Sequence, residues 1–187
     1  IYTDCNAVSP CRTRAIEEIV VAGGGTYVDG SIVGGPPSER SQPTLYLSGV
    51  ASGTVAACFA STGMRTVGLS ERIGAASALK MAYAANTKGT SALFAAILSL
   101  AEQEGVREAL QRQWGEELTT VAHDRTIESA LKAWRFVGEM HEISNTFTDA
   151  GLPGGFHGAA AEIYERLVEF KGRDEAPGLD ETLEMLK

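Results

Sequence analysis

"IGAASALKMAYAANTKGT", Ile73 to Thr90, is the stretch on which the reading of this fold turns. From Ile73 to Glu104 there is no proline, glycine occurs only at Gly74 and Gly89, and Ala, Leu and Met dominate. Such a run predicts one helix of unusual length, because these residues lose little freedom in a helix and nothing interrupts the hydrogen-bond ladder. Short β-prone runs punctuated by glycine lie before it, and helical apolar spacing follows it. The composition therefore sets a boundary, with residues 1–72 as one domain and residues 73–187 as an all-α one.

At 3.6 residues per turn, Ser77, Lys80, Ala84, Thr87 and Ser91 fall near one face of that helix. A lysine flanked by small and hydroxyl side chains leaves room for a ligand. The plainer alternative is a lysine whose stem lies on the core while its ammonium reaches solvent. Lys88 is a lesser version of the same case.

Upstream, "IYTDC" from Ile1 is apolar and β-prone and runs into a turn at "NAVSP". Ser9 is placed to cap a helix whose first residue is Pro10, with Ala15, Ile16, Ile19 and Val20 as its apolar stripe and glycine at its end. "TYVDGSIV" from Thr26 and "TLYLSG" from Thr44 read as strands, with "TVAACFAST" as a short helix before another strand. Strand, helix, strand, loop, strand, helix, strand is the back half of an α/β sheet.

Gly23, Gly24 and Gly25 invite a nucleotide-binding reading, which spacing and polarity oppose. A dinucleotide fingerprint G-x-G-x-x-G sits between a strand and a following helix, whose N-terminus meets the pyrophosphate. Here Val28 occupies the third glycine position, and the glycines close a helix and enter a strand. They are expected to be a helix C-cap. "VGGPP", Val33 to Pro37, leads into no helix and is no fingerprint either.

Downstream, "VREALQRQWGEEL", "TIESALKAWRFVGEMHEISNTFTDAG" and "FHGAAAEIYERLVEFK" carry helical spacing, with breaks expected at "TTVAHD" and "GLPGG". The tail from Gly172 is polar, expected to be weakly ordered before a last short helix.

Composition excludes several classes of function. The 187 residues carry a formal charge of -8, with Lys and Arg scattered singly, so no basic stripe offers to neutralise a nucleic acid. The longest apolar stretch, Ser91 to Ala101, falls well short of the roughly 20 residues a bilayer requires. Cys5, Cys11 and Cys58 form no CxxC pair, which argues against a disulfide framework and a structural zinc site and for a reducing compartment, the cytoplasm. His123, His141 and His157 lack metal-ligand spacing, so no metal site is expected.

Three segments, "YTDCNAVSP", "YVDGSIVGGPP" and "IGAASALKMAYAANTKGT", resemble in order and separation the β-hydroxyacid dehydrogenases, the superfamily of 6-phosphogluconate and 3-hydroxyisobutyrate dehydrogenases. The "ASALKM" motif is similar to that of an uncharacterised branch of 6-phosphogluconate-dehydrogenase-like proteins. The resemblance covers about Tyr2 to Phe170. It implies a mainly α chain: the end of a Rossmann sheet, a long interdomain helix, and an all-α 6-phosphogluconate dehydrogenase C-terminal-like domain. The family's glycine fingerprint would lie upstream of Ile1, so the chain is expected to be a fragment of a protein roughly one hundred residues longer.

The resemblance also implies roles. "DCNAVSP" matches the family's D-x-S-T-x-x-P segment beside the nicotinamide, with Asn6 and Ala7 in place of Ser and Thr. Asn6 is then a cofactor contact or a turn residue, and Ala7 offers only backbone. "DGSIVGG" matches the substrate loop D-x-P-V-S-G-G, which puts Val33 where a serine is expected and Gly34 and Gly35 where backbone amides approach a carboxylate. A plain turn is the alternative there. Lys80 matches the catalytic lysine of G-x-G-x-x-x-K-x-x-x-N, with Ala84 in place of the Asn and Thr87 or Tyr83 as stand-ins. Glu139 takes the acidic place of a Lys-Asp pair whose lysine place holds Gly138, which makes it a cleft residue or, on the plainer reading, a solvated or cap-pairing glutamate. The implied function is an NAD- or NADP-dependent oxidoreductase of a small hydroxyacid or related alcohol, with Lys80 as general acid/base. The implied assembly is a homodimer through the helical domain. The competing reading is a non-catalytic helical domain serving dimerisation or ligand binding.

Overall fold

The computed structural model describes residues 1–38 and 41–187. They form two compact units, one of residues 1–83 with 145–152, the other of residues 84–144 with 153–187.

The first unit is built on four strands, β1 (Tyr2–Asp4), β2 (Tyr27–Val33), β3 (Thr44–Ser48) and β4 (Arg65–Ser70), adjacent in that order. β1 runs parallel to β2 and β3 parallel to β4, while β2 and β3 pair antiparallel, with Asp29 opposite Ser48 and Val33 opposite Thr44. Helix α1 (Pro10–Ala22) links the first two strands, α2 (Ser52–Ala57) the last two, and α3 (Ala75–Ala84) follows β4. The expected alternation of strands and helices is what the chain adopts.

Local chemistry sets α1 at both ends. Ser9 Oγ accepts from the Arg12 amide at 3.4 Å and Pro10 opens the helix. At the other end Gly24 N bonds Val21 O and Gly25 N bonds Val20 O, both at 2.9 Å, with Gly24 at φ 78°. Those two bonds are a Schellman cap, so the triple glycine ends a helix, as its polarity requires. Only part of the expected apolar stripe turns inward: Ile16 and Val20 are half-buried, Ala15 and Ile19 are exposed, and the buried residue of the helix is Thr13. The reason lies in what α1 packs on, because Thr13 Oγ1 meets Ser77 Oγ at 2.9 Å on the polar side of the sheet.

Alternation along the strands gives the sheet two different faces. Val28, Leu45 and Leu47 are buried with Val55 of α2, and Ala51, Ala56, Phe59 and Met64 pack around them. Each such side chain contributes about 1.5–3 kcal/mol by leaving water. The other face holds Asp29, Ser31 and Ser48, all buried.

The second unit is helical: α4 (Thr90–Gln103), α5 (Arg107–Ala130), α6 (Ala133–Asp149, whose end belongs to the first unit), α7 (Gly155–Arg166) and α8 (Leu179–Glu184). The expected single helix from Ile73 is a helical run broken in character, because a π-turn at Ala85–Gly89 separates α3 from α4. Small buried residues, Ala92, Ala95, Ala122, Ala130, Ala160 and Ala161, let helices approach closely, and Phe136 meets Tyr164 edge to face at 5.3 Å.

Two expected helix limits move. No break falls at "TTVAHD", where the Thr120 and Thr126 hydroxyls bond back to the carbonyls of Glu116 and Ala122 along a continuing helix. The interruption lies at Gly115, at φ 80° and ψ 173°, and a further one at Leu131–Lys132 divides the expected helix from Thr126 into α5 and α6. The polar tail is docked: Thr182, Leu183 and Leu186 are buried, and Arg107 pairs with Asp180 at 2.6 Å.

Candidate active site

Asp29 organises the first unit, and it does so from the middle of β2. Its Oδ2 accepts from Ser48 Oγ at 2.9 Å and from the amides of Gly74 and Ser77, each at 3.0 Å; its Oδ1 accepts from Ser77 Oγ at 2.7 Å. Ser48 Oγ also receives the Ala76 amide at 3.2 Å. The first amides of a helix have no partner within it, so a carboxylate there satisfies them and favours the positive end of the helix dipole. This set fixes the start of α3 against the sheet and thereby aims the next turn, which carries Lys80.

Lys80, half-buried, donates from Nζ to the carbonyl of Ile32 at 2.5 Å. Ile32 immediately precedes Val33, Gly34 and Gly35, so the lysine meets the strand end from which the expected substrate loop departs. Gly34 holds φ 117°, and a Cβ there would stand 3.1 Å from Pro43 Cα. Gly34 and Gly35 are exposed and Val33 half-buried, offering backbone but no hydroxyl. The only hydroxyl of that segment belongs to Ser31, which is 1% exposed and whose Oγ has no hydrogen-bond partner among the described residues.

Asn6 and Ala7 follow the C-terminal end of the parallel strand β1, the end at which open α/β sheets receive ligands. Asn6 is exposed, but its backbone amide and its Nδ2 both donate to Asp4 Oδ1, at 2.9 and 2.6 Å. It thus forms a turn around Asp4. Tyr27, stacked on Tyr2 at 6.0 Å, buries its hydroxyl without a partner among the described residues. Burial, with Asp4 and Asp29 nearby, holds that phenol far above its ordinary range, so it stays protonated.

In the helical unit, Ala84 is 1% exposed and lies in the core. Thr87 is half-buried; its hydroxyl leans back on the Ala84 carbonyl at 3.5 Å, and its own carbonyl accepts from Arg125 at 2.6 Å. Glu139 forms an ion pair with Lys88, and Lys88 also stands over the Phe136 ring, 4.8 Å from its centre. The acidic position whose lysine place holds Gly138 therefore finds its lysine on the π-turn instead. Sequence reading missed this pairing and missed Asp29 and Arg125, because each joins residues far apart in the chain. The only signal available was the aspartate of "DGSIVGG" itself.

The fold is that of the dehydrogenase-like proteins with a C-terminal helical domain, here with a four-stranded mixed sheet before the helices. Residues 101–167 match the model of a domain of unknown function, DUF1932. A conserved hypothetical protein from Sinorhizobium meliloti 1021 is similar, at 26% identity and TM-score 0.75 over 98% of this chain and 64% of that one. A conserved protein of unknown function, described as structurally similar to 3-hydroxyacid dehydrogenases, is 24% identical with TM-score 0.69 over 90% of this chain and 66% of its own. The 3-hydroxyisobutyrate dehydrogenase of Salmonella typhimurium shares the fold at 14% identity and TM-score 0.62, over 98% and 68% of the two chains. The chain thus spans just under two thirds of the length of the first two. No curated protein sequence matches it. Among the described residues no helix is long and apolar enough to cross a membrane, and no group of three His, Cys, Asp or Glu is arranged to hold a metal ion.

Proposed function

We propose that this chain is the lysine-bearing part of an NAD(P)-dependent oxidoreductase acting on a small hydroxyacid or a related alcohol. The observation that carries the reading is the bond from Lys80 Nζ to the Ile32 carbonyl at 2.5 Å, which joins the lysine of "ASALKM" to the root of the "VGG" loop. Those two segments are far apart in sequence, and the dehydrogenase resemblance is what brings them together.

In this reading the backbone of Gly34 and Gly35 receives the substrate carboxylate, Val33 packs against its carbon chain, and Lys80 Nζ takes the proton of the substrate hydroxyl. When bound, a nicotinamide cofactor supplies the acceptor for the hydride that leaves the same carbon. Asn6 and Ala7, at the end of β1, fit the nicotinamide end only, through the Asn6 carbonyl and the backbone. No phosphate-binding turn is available among these residues, since Gly23 to Gly25 are spent on a helix cap. In the reducing direction Lys80 returns the proton. A homodimer through the helical unit belongs to the same proposal and is supported by exposed Leu93 and Phe156 on α4 and α7.

The test is oxidation of a panel of small hydroxyacids with NAD and NADP by the protein of the complete reading frame, wild type against Lys80→Ala. Loss of a general base lowers kcat by about a hundred- to ten-thousand-fold. Turnover that survives Lys80→Ala undiminished would reject the assignment and favour a non-catalytic helical domain.

A further inference from the structure

The helical unit contains a polar pocket that the oxidoreductase reading does not use. It has a volume of about 280 Å³ and is walled by Thr87 and Lys88 of the π-turn, Ser91 of α4, Arg125, Glu128 and Ser129 of α5, and Lys132 and Phe136 beyond it. We propose that it binds a small oxyanion, the carboxylate or phosphate group of a soluble molecule.

The π-turn creates the pocket's fixed cation. A π-turn widens the helix by one residue and strips carbonyls from the regular ladder, and such turns recur at functional sites. Here Arg125 collects the displaced carbonyls, donating from one terminal nitrogen to Thr87 O at 2.6 Å and Asn86 O at 3.4 Å, and from Nε to Ser91 Oγ at 3.3 Å. Those partners are neutral. Among the described residues no carboxylate lies within ion-pair distance of Arg125 or Lys132, so the guanidinium is held rigidly while its charge stays unanswered.

The charge balance of the walls decides the sign of the ligand. Lys88, Arg125 and Lys132 are opposed by Glu139, which pairs with Lys88, and by Glu128, which is exposed at the rim. The pocket keeps a positive excess in a chain whose formal charge is -8. The side chains of Thr87, Ser91 and Ser129 complete the lining, their hydroxyls donating to the carbonyls of Ala84, Thr87 and Thr126, and the Tyr164 hydroxyl, bonded to the Lys88 carbonyl at 2.7 Å, closes the turn from behind. Water occupies roughly 30 Å³ per molecule in the liquid, so the space holds several waters or one small anion.

The experiment is calorimetric titration of the 187-residue chain with inorganic phosphate and, separately, with succinate. Saturable binding of either is expected, weakening as salt is raised. Lys132 is exposed and its side chain makes no hydrogen bond or ion pair among the described residues, so Lys132→Glu keeps the fold and is expected to weaken binding by about tenfold or more. Glu128→Gln, removing the opposing rim charge, is expected to tighten it. Response to phosphate alone assigns a phosphate-bearing ligand, and response to succinate alone a carboxylate. Absence of saturation by both up to about 50 mM, where even weak millimolar sites fill, or binding indifferent to Lys132→Glu, overturns the proposal. Because the readout is binding, failure here leaves the role of Lys80 untouched, and failure there leaves this pocket.

Discussion

Lys80 Nζ lies 2.5 Å from the carbonyl oxygen of Ile32, so the helix residue and the strand end that the dehydrogenase resemblance pairs are in direct contact. Removing the amine at Lys80 is expected to separate kcat from KM. In the complete protein Lys80→Ala should depress kcat by at least about a hundredfold. KM should move little if the substrate carboxylate rests on the Gly34–Gly35 backbone. Lys80→Arg keeps the charge but not a readily deprotonated base, so it should fail to rescue turnover. Steady-state kinetics of both variants, with circular dichroism to confirm the fold, decides this.

Asp29 satisfies two helix amides and two hydroxyls from a position 1% exposed. Asp29→Ala leaves the Gly74 and Ser77 amides buried without acceptors, a loss expected to cost about 3–5 kcal/mol, as for other broken buried charged networks. Asp29→Asn keeps one acceptor and should cost less, with urea denaturation supplying the comparison. Equal stability of Asp29→Ala and wild type would refute the idea that this carboxylate docks α3.

Two glycines should respond in opposite directions. Gly74 holds φ 92°, and a Cβ there would stand 2.9 Å from the Arg14 guanidinium and 3.2 Å from Pro10 Cβ. Gly74→Ala is therefore expected to destabilise by about 1–3 kcal/mol through strain and crowding. Gly138, exposed within α6, would meet nothing within 4 Å. Gly138→Ala should stabilise by about 0.5–1 kcal/mol, because alanine has less freedom to lose on folding. Thermal melts of the pair test the backbone geometry of each unit separately.

Features set by neighbouring residues were legible before the structure. Ser9 with Pro10 fixes the start of α1, and the glycines from Gly23 fix its end, because capping needs only a few adjacent groups. The strands at Tyr27 and Thr44 follow from alternation in the same way. Distant pairing hid the rest. The buried side of α1 is centred on Thr13, which meets Ser77, so the apolar stripe located Ile16 and Val20 but not exposed Ile19. The π-turn at Ala85 to Gly89 is invisible to periodicity, since Arg125 from another helix completes it. Lys80 and its loop were legible only through family resemblance, and no local signal announced the Lys88–Glu139 pair.

NADP should not bind this chain appreciably. The tight part of a dinucleotide site is the helix N-terminus that meets the pyrophosphate, and here the glycine cluster is a Schellman cap with its amides spent on Val20 and Val21 carbonyls. Calorimetry on the 187 residues should show no saturable heat at concentrations that fill ordinary dinucleotide sites. A tight complex would mean that the phosphates find a cradle elsewhere in the two units.

His157 gives the helical unit a predictable response to acid. Its ring is 5% exposed on α7, packed beside Gly89 and Phe156, and burial lowers its pKa below the ordinary 6.5. Between the folded value and 6.5 the unfolded chain binds a proton that the folded one refuses, so the unfolded state is favoured as protons become available. The stability linked to this residue is fully present above pH 6.5 and is lost as pH falls through that value toward the lower folded one. His157→Gln removes the titration, so the stability difference between wild type and variant should be constant above about pH 7.5 and should shrink or reverse near about pH 5. Urea denaturation across this range measures the difference directly, and a wild-type-minus-variant gap that does not change with pH would show that His157 is not held neutral by its surroundings.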